Sequence, residues 1–223
     1  MEVEYTDAHW ELLRRKREKA RRMMERVLNL GMKEVYVYGS VARGDVRPES
    51  DTDVVVLDPD VLKLDLLEDV DHKTIVQATP RSTPKAYLSF DPEETEVITF
   101  PLAKLTRDEL EFFSFGGKLG YEGLIKDMRV PGVNKDLFLI IPTERGHIEM
   151  PLKGNEDLAS KYLGISIDTI LQREKLLTRR EEMGRTGIFL KHVISGTDSV
   201  LEAVRTLYKS NKFFRRVMDE RQF

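Results

Sequence analysis

An α+β fold follows from three features of this chain. Between Val35 and Leu57 an apolar run, a glycine bend, a brief helical stretch and a second apolar run succeed one another. Two further short runs, residues 86–90 and 96–100, are rich in β-branched and aromatic residues. Longer tracts with helical spacing of apolar residues lie before and after them, at 10–30 and 156–177.

The first helix is predicted from Trp10 to Leu30, with Thr6 or Asp7 as its cap and Gly31 closing it. Trp10, Leu13, Ala20, Met24, Val27 and Leu28 fall near one stripe. Arg14, Arg15, Lys16, Arg17, Lys19, Arg21, Arg22 and Arg26 crowd the rest. Two readings stand side by side: a solvated face laced by Glu11, Glu18 and Glu25, or a basic ridge for triphosphate or a nucleic-acid backbone.

Val35-Tyr-Val-Tyr38 reads as a buried strand ended by Gly39, which turns sharply and lets a ligand approach the backbone. Ser40 sits at the start of a short helix, where free N–H groups favour phosphate, and Arg43 adds charge. Gly44 stops that helix, and residues 47–50 form a loop. After ten residues comes Asp51-Thr-Asp53, opening a strand that runs to Leu57. Alternation puts Asp51 and Asp53 on one face and Thr52 on the other. Two neighbouring carboxylates repel unless a cation bridges them, and hard oxygens suit Mg²⁺.

Gly39-Ser40, with Ala42-Arg43-Gly44 behind it and Asp51-x-Asp53 ten residues on, resembles the signature of the DNA polymerase beta-like nucleotidyltransferase superfamily, in its minimal nucleotidyltransferase type. The resemblance implies a mixed β-sheet with helices against one face, followed by an α-rich domain. It implies two Mg²⁺ ions and an NTP, ATP foremost, as substrate, with Gly39, Ser40 and Arg43 at the phosphates. It also implies a third carboxylate on a later strand, because two ions need about three carboxylates between them. Glu96, opening the strand Glu96-Val-Ile-Thr-Phe100, is the candidate, and Glu94 competes with it. Asp51, Asp53 and Glu96 are thereby the expected catalytic and metal-binding set.

Between these strands, residues 58–71 suggest a short helix with solvent-facing acids, and Thr79-Pro-Arg-Ser-Thr-Pro84 a loop. A helix is expected over 105–113, capped by Thr106 with Glu109 three residues on. Phe115-Gly-Gly-Lys-Leu-Gly120 reads as a turn or hinge, since it lacks the spacing of a P-loop. Pro131-Gly132 marks the expected boundary between a nucleotidyltransferase domain, 1–130, and a C-terminal α-rich domain, 131–223, for substrate or nucleic acid.

In that C-terminal part, residues 136–142 form a strand and 144–151 its hairpin partner. Residues 156–177 read helix, turn at Gly164, helix, and Leu-Gly-Ile-Ser-x-x-Thr-Ile resembles a helix-turn-helix. A winged version would use residues 184–189 as its wing, with Arg173, Lys175, Arg179, Arg180 and Arg185 meeting phosphates. A helical hairpin packed as a substrate-side cap is the other reading. One last helix is predicted from Asp198 to about Met218.

Composition bounds the rest. The 223 residues carry no cysteine, which excludes disulfides and thiolate metal sites, and the net charge is -3. His9, His72, His147 and His192 are scattered without metal spacing. No apolar run reaches membrane-spanning length and the first residues lack a signal pattern, so a cytoplasmic protein with no membrane partner is expected. The expected function is Mg²⁺-dependent transfer of a nucleotidyl group to a hydroxyl of RNA, protein or a small molecule. The competing function is a nucleic-acid-binding regulator with a helix-turn-helix-like C-terminal domain and a vestigial nucleotidyltransferase domain.

Overall fold

The computed structural model describes residues 1–184 and 187–223. The chain begins with β1 (Glu2–Glu4), α1 (Asp7–Leu28), β2 (Val35–Tyr38), α2 (Ser40–Arg43), β3 (Thr52–Val56) and α3 (Val61–Leu64). It continues with β4 (His72–Gln77), β5 (Lys85–Ser89), β6 (Glu96–Pro101), α4 (Arg107–Gly116), β7 (Lys118–Gly120) and α5 (Tyr121–Ile125). The remainder is β8 (Gly132–Val133), β9 (Phe138–Thr143), β10 (Gly146–Pro151), α6 (Glu156–Leu163), α7 (Ile167–Met183), β11 (Leu190–Ser195), α8 (Val200–Ser210) and α9 (Lys212–Glu220). The α+β class predicted from sequence is the class observed. Among the described residues no helix is long and apolar enough to cross a membrane.

Two compact units alternate along the chain. The first gathers Met1–Arg21, Tyr36–Ser50 and Arg107–Thr186. Its four-stranded antiparallel sheet has the order β1-β10-β9-β8, and β2 pairs antiparallel with β7. Phe115, Val133, Leu139, Leu152, Ala159 and Ile170 form a buried cluster. Thr6 caps α1: its carbonyl accepts from the Trp10 N–H and its hydroxyl from the His9 N–H. Ser166 caps α7, and Gly164 ends α6 in the left-handed conformation. A helix, a turn at Gly164 and a second helix, the order expected over 156–177, are therefore present, the second helix running on to Met183. Two of the residues assigned to a wing, Arg185 and Thr186, lie outside the described residues.

Of the turn or hinge expected over Phe115–Gly120, only a tight turn at Gly117 is present, between a helix and a strand. Helix α4 runs through Gly116, and Lys118–Gly120 pairs with Tyr36–Tyr38 as β7. Backbone pairing needs no side chains, and the glycine between the two elements has a specific role. Gly117 has φ +86, and a Cβ there would stand 2.8 Å from the Pro131 carbonyl oxygen.

The second unit gathers Arg22–Val35, Asp51–Thr106 and Gly187–Phe223. Its five strands run in the order β11-β4-β5-β6-β3. Only β3 and β6 are parallel; the other three pairings are antiparallel. Gly31 closes α1 with φ +97. The acids after α3 are not all solvent-facing as expected, because Asp65, largely covered, forms an ion pair with the buried Lys73. The helix predicted from Asp198 breaks at Asn211, whose side chain accepts from the N–H groups of Phe213 and Phe214 and so starts α9.

Candidate active site

The glycine–serine bend belongs to the first unit. Gly39 follows β2 with φ 84 and ψ -149, is the N-cap of α2, and donates its N–H to the Gly117 carbonyl at 2.9 Å. Its own carbonyl accepts from the N–H groups of Ala42 and Arg43, both at 3.0 Å. Ser40 is the first helical residue, so the N–H groups of Ser40 and Val41 have no intrahelical acceptor. Space opens in front of the bend: a Cβ on Gly39 would meet nothing within 4 Å.

Two arginines hold this turn from behind. Arg17, buried in α1, donates from Nε to the Val41 carbonyl at 3.1 Å and from Nη2 to the Ala42 carbonyl at 3.1 Å. Its Nη1 donates to the Met128 carbonyl at 2.6 Å. Burial, and then the nearby Arg129 charge, pull the Arg17 pKa down to about 10. Arg43 is 5% exposed. It grips both oxygens of Asp45 at 2.9 and 3.0 Å and donates to the Gly116 carbonyl at 2.7 Å. The charge expected at a triphosphate is thus committed to folding the turn, an outcome that the short spacing to Ser40 concealed.

The acidic residues belong to the second unit. Asp51 precedes β3 and Asp53 lies within it, both partly exposed, while Thr52 between them is buried. This is the alternation expected. Strand β3 pairs with β6 in the register Thr52↔Glu96, Asp53↔Val97 and Val55↔Thr99. Strand β6 in turn pairs Val97 with Ser89 and Thr99 with Tyr87. Cross-strand partners share a face, so one face carries Asp51, Asp53, Val97, Ser89, Thr99 and Tyr87. Burial, and then the charge of Asp53, push the Tyr87 phenol up to about 12. Sequence reasoning missed Tyr87 and Ser89, since only the pairing brings them beside the aspartates.

Glu96 falls on the opposite face. Its neighbours are Thr52 on one side and Phe90 on the other, the Phe90 N–H donating to the Glu96 carbonyl at 3.0 Å. Arg26 of α1 lies over the Phe90 ring at 4.9 Å, so this is the face that the helix covers. Glu94, the other candidate, sits in the turn before β6 with φ 59 and bonds to His72 Nε2 at 2.9 Å. Alternation along β3 puts Asp51 and Asp53 on one face, the pairing Thr52↔Glu96 assigns Glu96 to the other, and Glu94 lies in the turn before β6. Among the described residues no group of three His, Cys, Asp or Glu side chains is placed to hold a metal ion.

Residues 17–112 match the family model of the nucleotidyltransferase domain. Over this span the chain is similar to that family. No curated protein matches the chain. The matched span contains the Gly39-Ser40 bend and the Asp51-x-Asp53 pair.

Several of the basic residues singled out in the sequence have internal partners. Arg14 pairs with Glu11, and Arg21 with Glu18 at 2.7 Å. Lys16 donates to the Pro48 and Ser50 carbonyls, at 3.0 and 2.5 Å. Arg26 donates to the Glu68 carbonyl at 2.6 Å. In α7, Arg173 is stacked over Phe112 at 4.7 Å and Phe115 at 5.8 Å, and burial holds its pKa down at about 10. It packs the helix pair instead of facing a phosphate backbone. A pocket of about 560 Å³ opens in the first unit beside Trp10, Leu13, Arg17, Leu124 and Arg129, and none of Gly39, Ser40, Arg43, Asp51, Asp53 and Glu96 lines it.

Proposed function

We propose that the nucleotidyltransferase domain moves a nucleoside monophosphate from an NTP, ATP foremost, to an acceptor hydroxyl. The acceptor oxygen bonds to the α-phosphorus as the bond from that phosphorus to the β-phosphate bridging oxygen breaks. Pyrophosphate leaves with that bond's electron pair, and the acceptor proton passes to solvent. The observation that supports this most directly is the family match over residues 17–112, a span that includes both motifs the chemistry uses.

In this reading Asp51 and Asp53 supply the hard anionic oxygens for a divalent cation such as Mg²⁺. A bound cation offsets charge on the triphosphate and on the departing pyrophosphate. Gly39 admits the phosphates close to the backbone, and the N–H groups of Ser40 and Val41 donate to them. The proposed role of this scaffold is positioning and electrostatic stabilisation. The acceptor is a hydroxyl of RNA, a protein or a small molecule.

The test is incubation with labelled ATP, CTP, GTP and UTP, Mg²⁺ and cell extract, following label into RNA, protein or small molecules. Asp51→Asn and Asp53→Asn should each lower transfer by roughly 10²-fold or more, on the scale of removing one electrostatic contact to a transition state. Transfer unchanged in both variants would overturn the reading.

A further inference from the structure

The pairing of β3 with β6 bears on how many cations the site can hold. A two-ion site in which each ion touches the reacting phosphate draws on about three carboxylates. On the face that carries Asp51 and Asp53, the position level with Asp53 on β6 is Val97. The next positions across and along that face are Ser89, Thr99 and Tyr87. Three of these are hydroxyls, and neither an alcohol nor a phenol is an anion at neutral pH. A second divalent cation placed here would meet neutral donors.

Glu96 is one residue out of phase with this need. Turning it to the Asp53 face would require β6 to slip by one residue, which would also turn Ile98 and Phe100 out of the helix-covered face. Both are fully buried, so the register is strongly fixed. The backbone also pins the start of β6: Asp91 accepts from the Thr95 and Glu96 N–H groups, each at 2.9 Å. Burial alone would favour the neutral Asp91 acid, but these bonds to the carboxylate outweigh it and lower its pKa.

Resting on the nucleotidyl-transfer reading above, we propose that Asp51 and Asp53 hold a single divalent cation and that Glu96 ligates none. The cation is the one carried with the triphosphate. The acceptor hydroxyl is then deprotonated without a second ion anchored by this sheet.

Counting bound Mn²⁺ by electron paramagnetic resonance tests this in the full chain. The probes are Mn²⁺ alone and Mn²⁺ with the α,β-methylene analogues of ATP and CTP, which cannot transfer. The expected result is one ion per chain with nucleotide, the same count and affinity in Glu96→Gln, and loss of the ion in Asp53→Asn. Two ions in the native chain, falling to one in Glu96→Gln, would overturn the single-ion proposal and leave the transfer reading standing. No bound ion, or binding indifferent to Asp53→Asn, would overturn both.

Discussion

Lys73 and Asp65 form an ion pair inside the second unit, with Nζ 3.1 Å from Oδ1 and side chains 2% and 13% exposed. The Lys73 ammonium also donates to the Asp198 carbonyl at 2.7 Å. Asp65 does more: it accepts from the Val200 N–H at 2.9 Å and the Ser199 hydroxyl at 3.0 Å, at the start of α8. The two partners are therefore unequal. Asp65→Ala strands a buried ammonium and uncaps a helix, and should cost about 3–5 kcal/mol. Lys73→Met leaves Asp65 with its helix donors and should cost clearly less. Urea unfolding of both variants checks the order; equal losses would show that Asp65 contributes nothing beyond the pair.

Arg17 offers a second test, in the first unit. One guanidinium satisfies three carbonyls, two of them at the end of the bend that carries Ser40. Arg17→Met keeps the stem and takes the guanidinium from the Val41 and Met128 carbonyls, while the Ala42 carbonyl keeps the Val130 N–H at 3.2 Å, so a loss of about 2–4 kcal/mol is expected. Arg17→Lys should recover only part of it, since a single ammonium cannot match the planar fork. Chemical denaturation gives the magnitudes. Full recovery by lysine would mean that charge, not fork geometry, holds the turn.

The bend and the aspartate strand were legible in sequence because each is local: an apolar run, a glycine that needs positive φ at Gly39, and an alternation that buries Thr52 between two partly exposed aspartates. What escaped was long-range. Alternation shows that Glu96, Ile98 and Phe100 share a face, but only the Thr52↔Glu96 pairing shows which face. Strand β4 went unseen because it begins with polar residues, and its buried lysine finds its carboxylate in Asp65. Arg43 read as a phosphate ligand because Asp45 and Gly116, its actual partners, are respectively unremarkable and remote in sequence. Asn211 hid inside an otherwise continuous helical pattern.

His72 predicts a pH dependence. Its ring is 19% exposed, with Nε2 2.9 Å from Glu94 and Nδ1 2.7 Å from Asp71. The hydrogen bond to Glu94, then that to Asp71, raises its pKa above the ordinary value. A raised pKa means that the folded chain binds the proton more tightly. The stabilisation is complete below the unfolded pKa of about 6.5 and is lost as pH rises through the folded value. The gap in unfolding free energy between the native chain and His72→Gln should therefore be larger near pH 6 than near pH 9. A gap constant across that range would mean that the imidazolium adds nothing to the fold.

Glu111 predicts the opposite slope. It sits in α4, 13% exposed, with Oε1 accepting from Arg107 at 3.0 Å. Its Oε2 accepts from the Ser166 hydroxyl at 3.0 Å, the Ser166 N–H at 3.3 Å and the Thr169 hydroxyl, at the N-terminus of α7. Burial disfavours the charged carboxylate, but the bonds from Thr169, Arg107 and Ser166 outweigh it and lower the pKa. The stabilisation is present above the unfolded carboxyl pKa of about 4.3 and fades as pH falls through the folded value. Glu111→Gln keeps an acceptor and removes the charge, so it should cost about 1–3 kcal/mol at neutral pH. That difference should shrink in acid, where the native side chain is itself neutral. Amide exchange at Thr169 and Ile170 should quicken in the variant at neutral pH, because the carboxylate ties the first turn of α7 to α4. If exchange and stability were both unchanged, the hydroxyls of Ser166 and Thr169 would be sufficient to start that helix without Glu111.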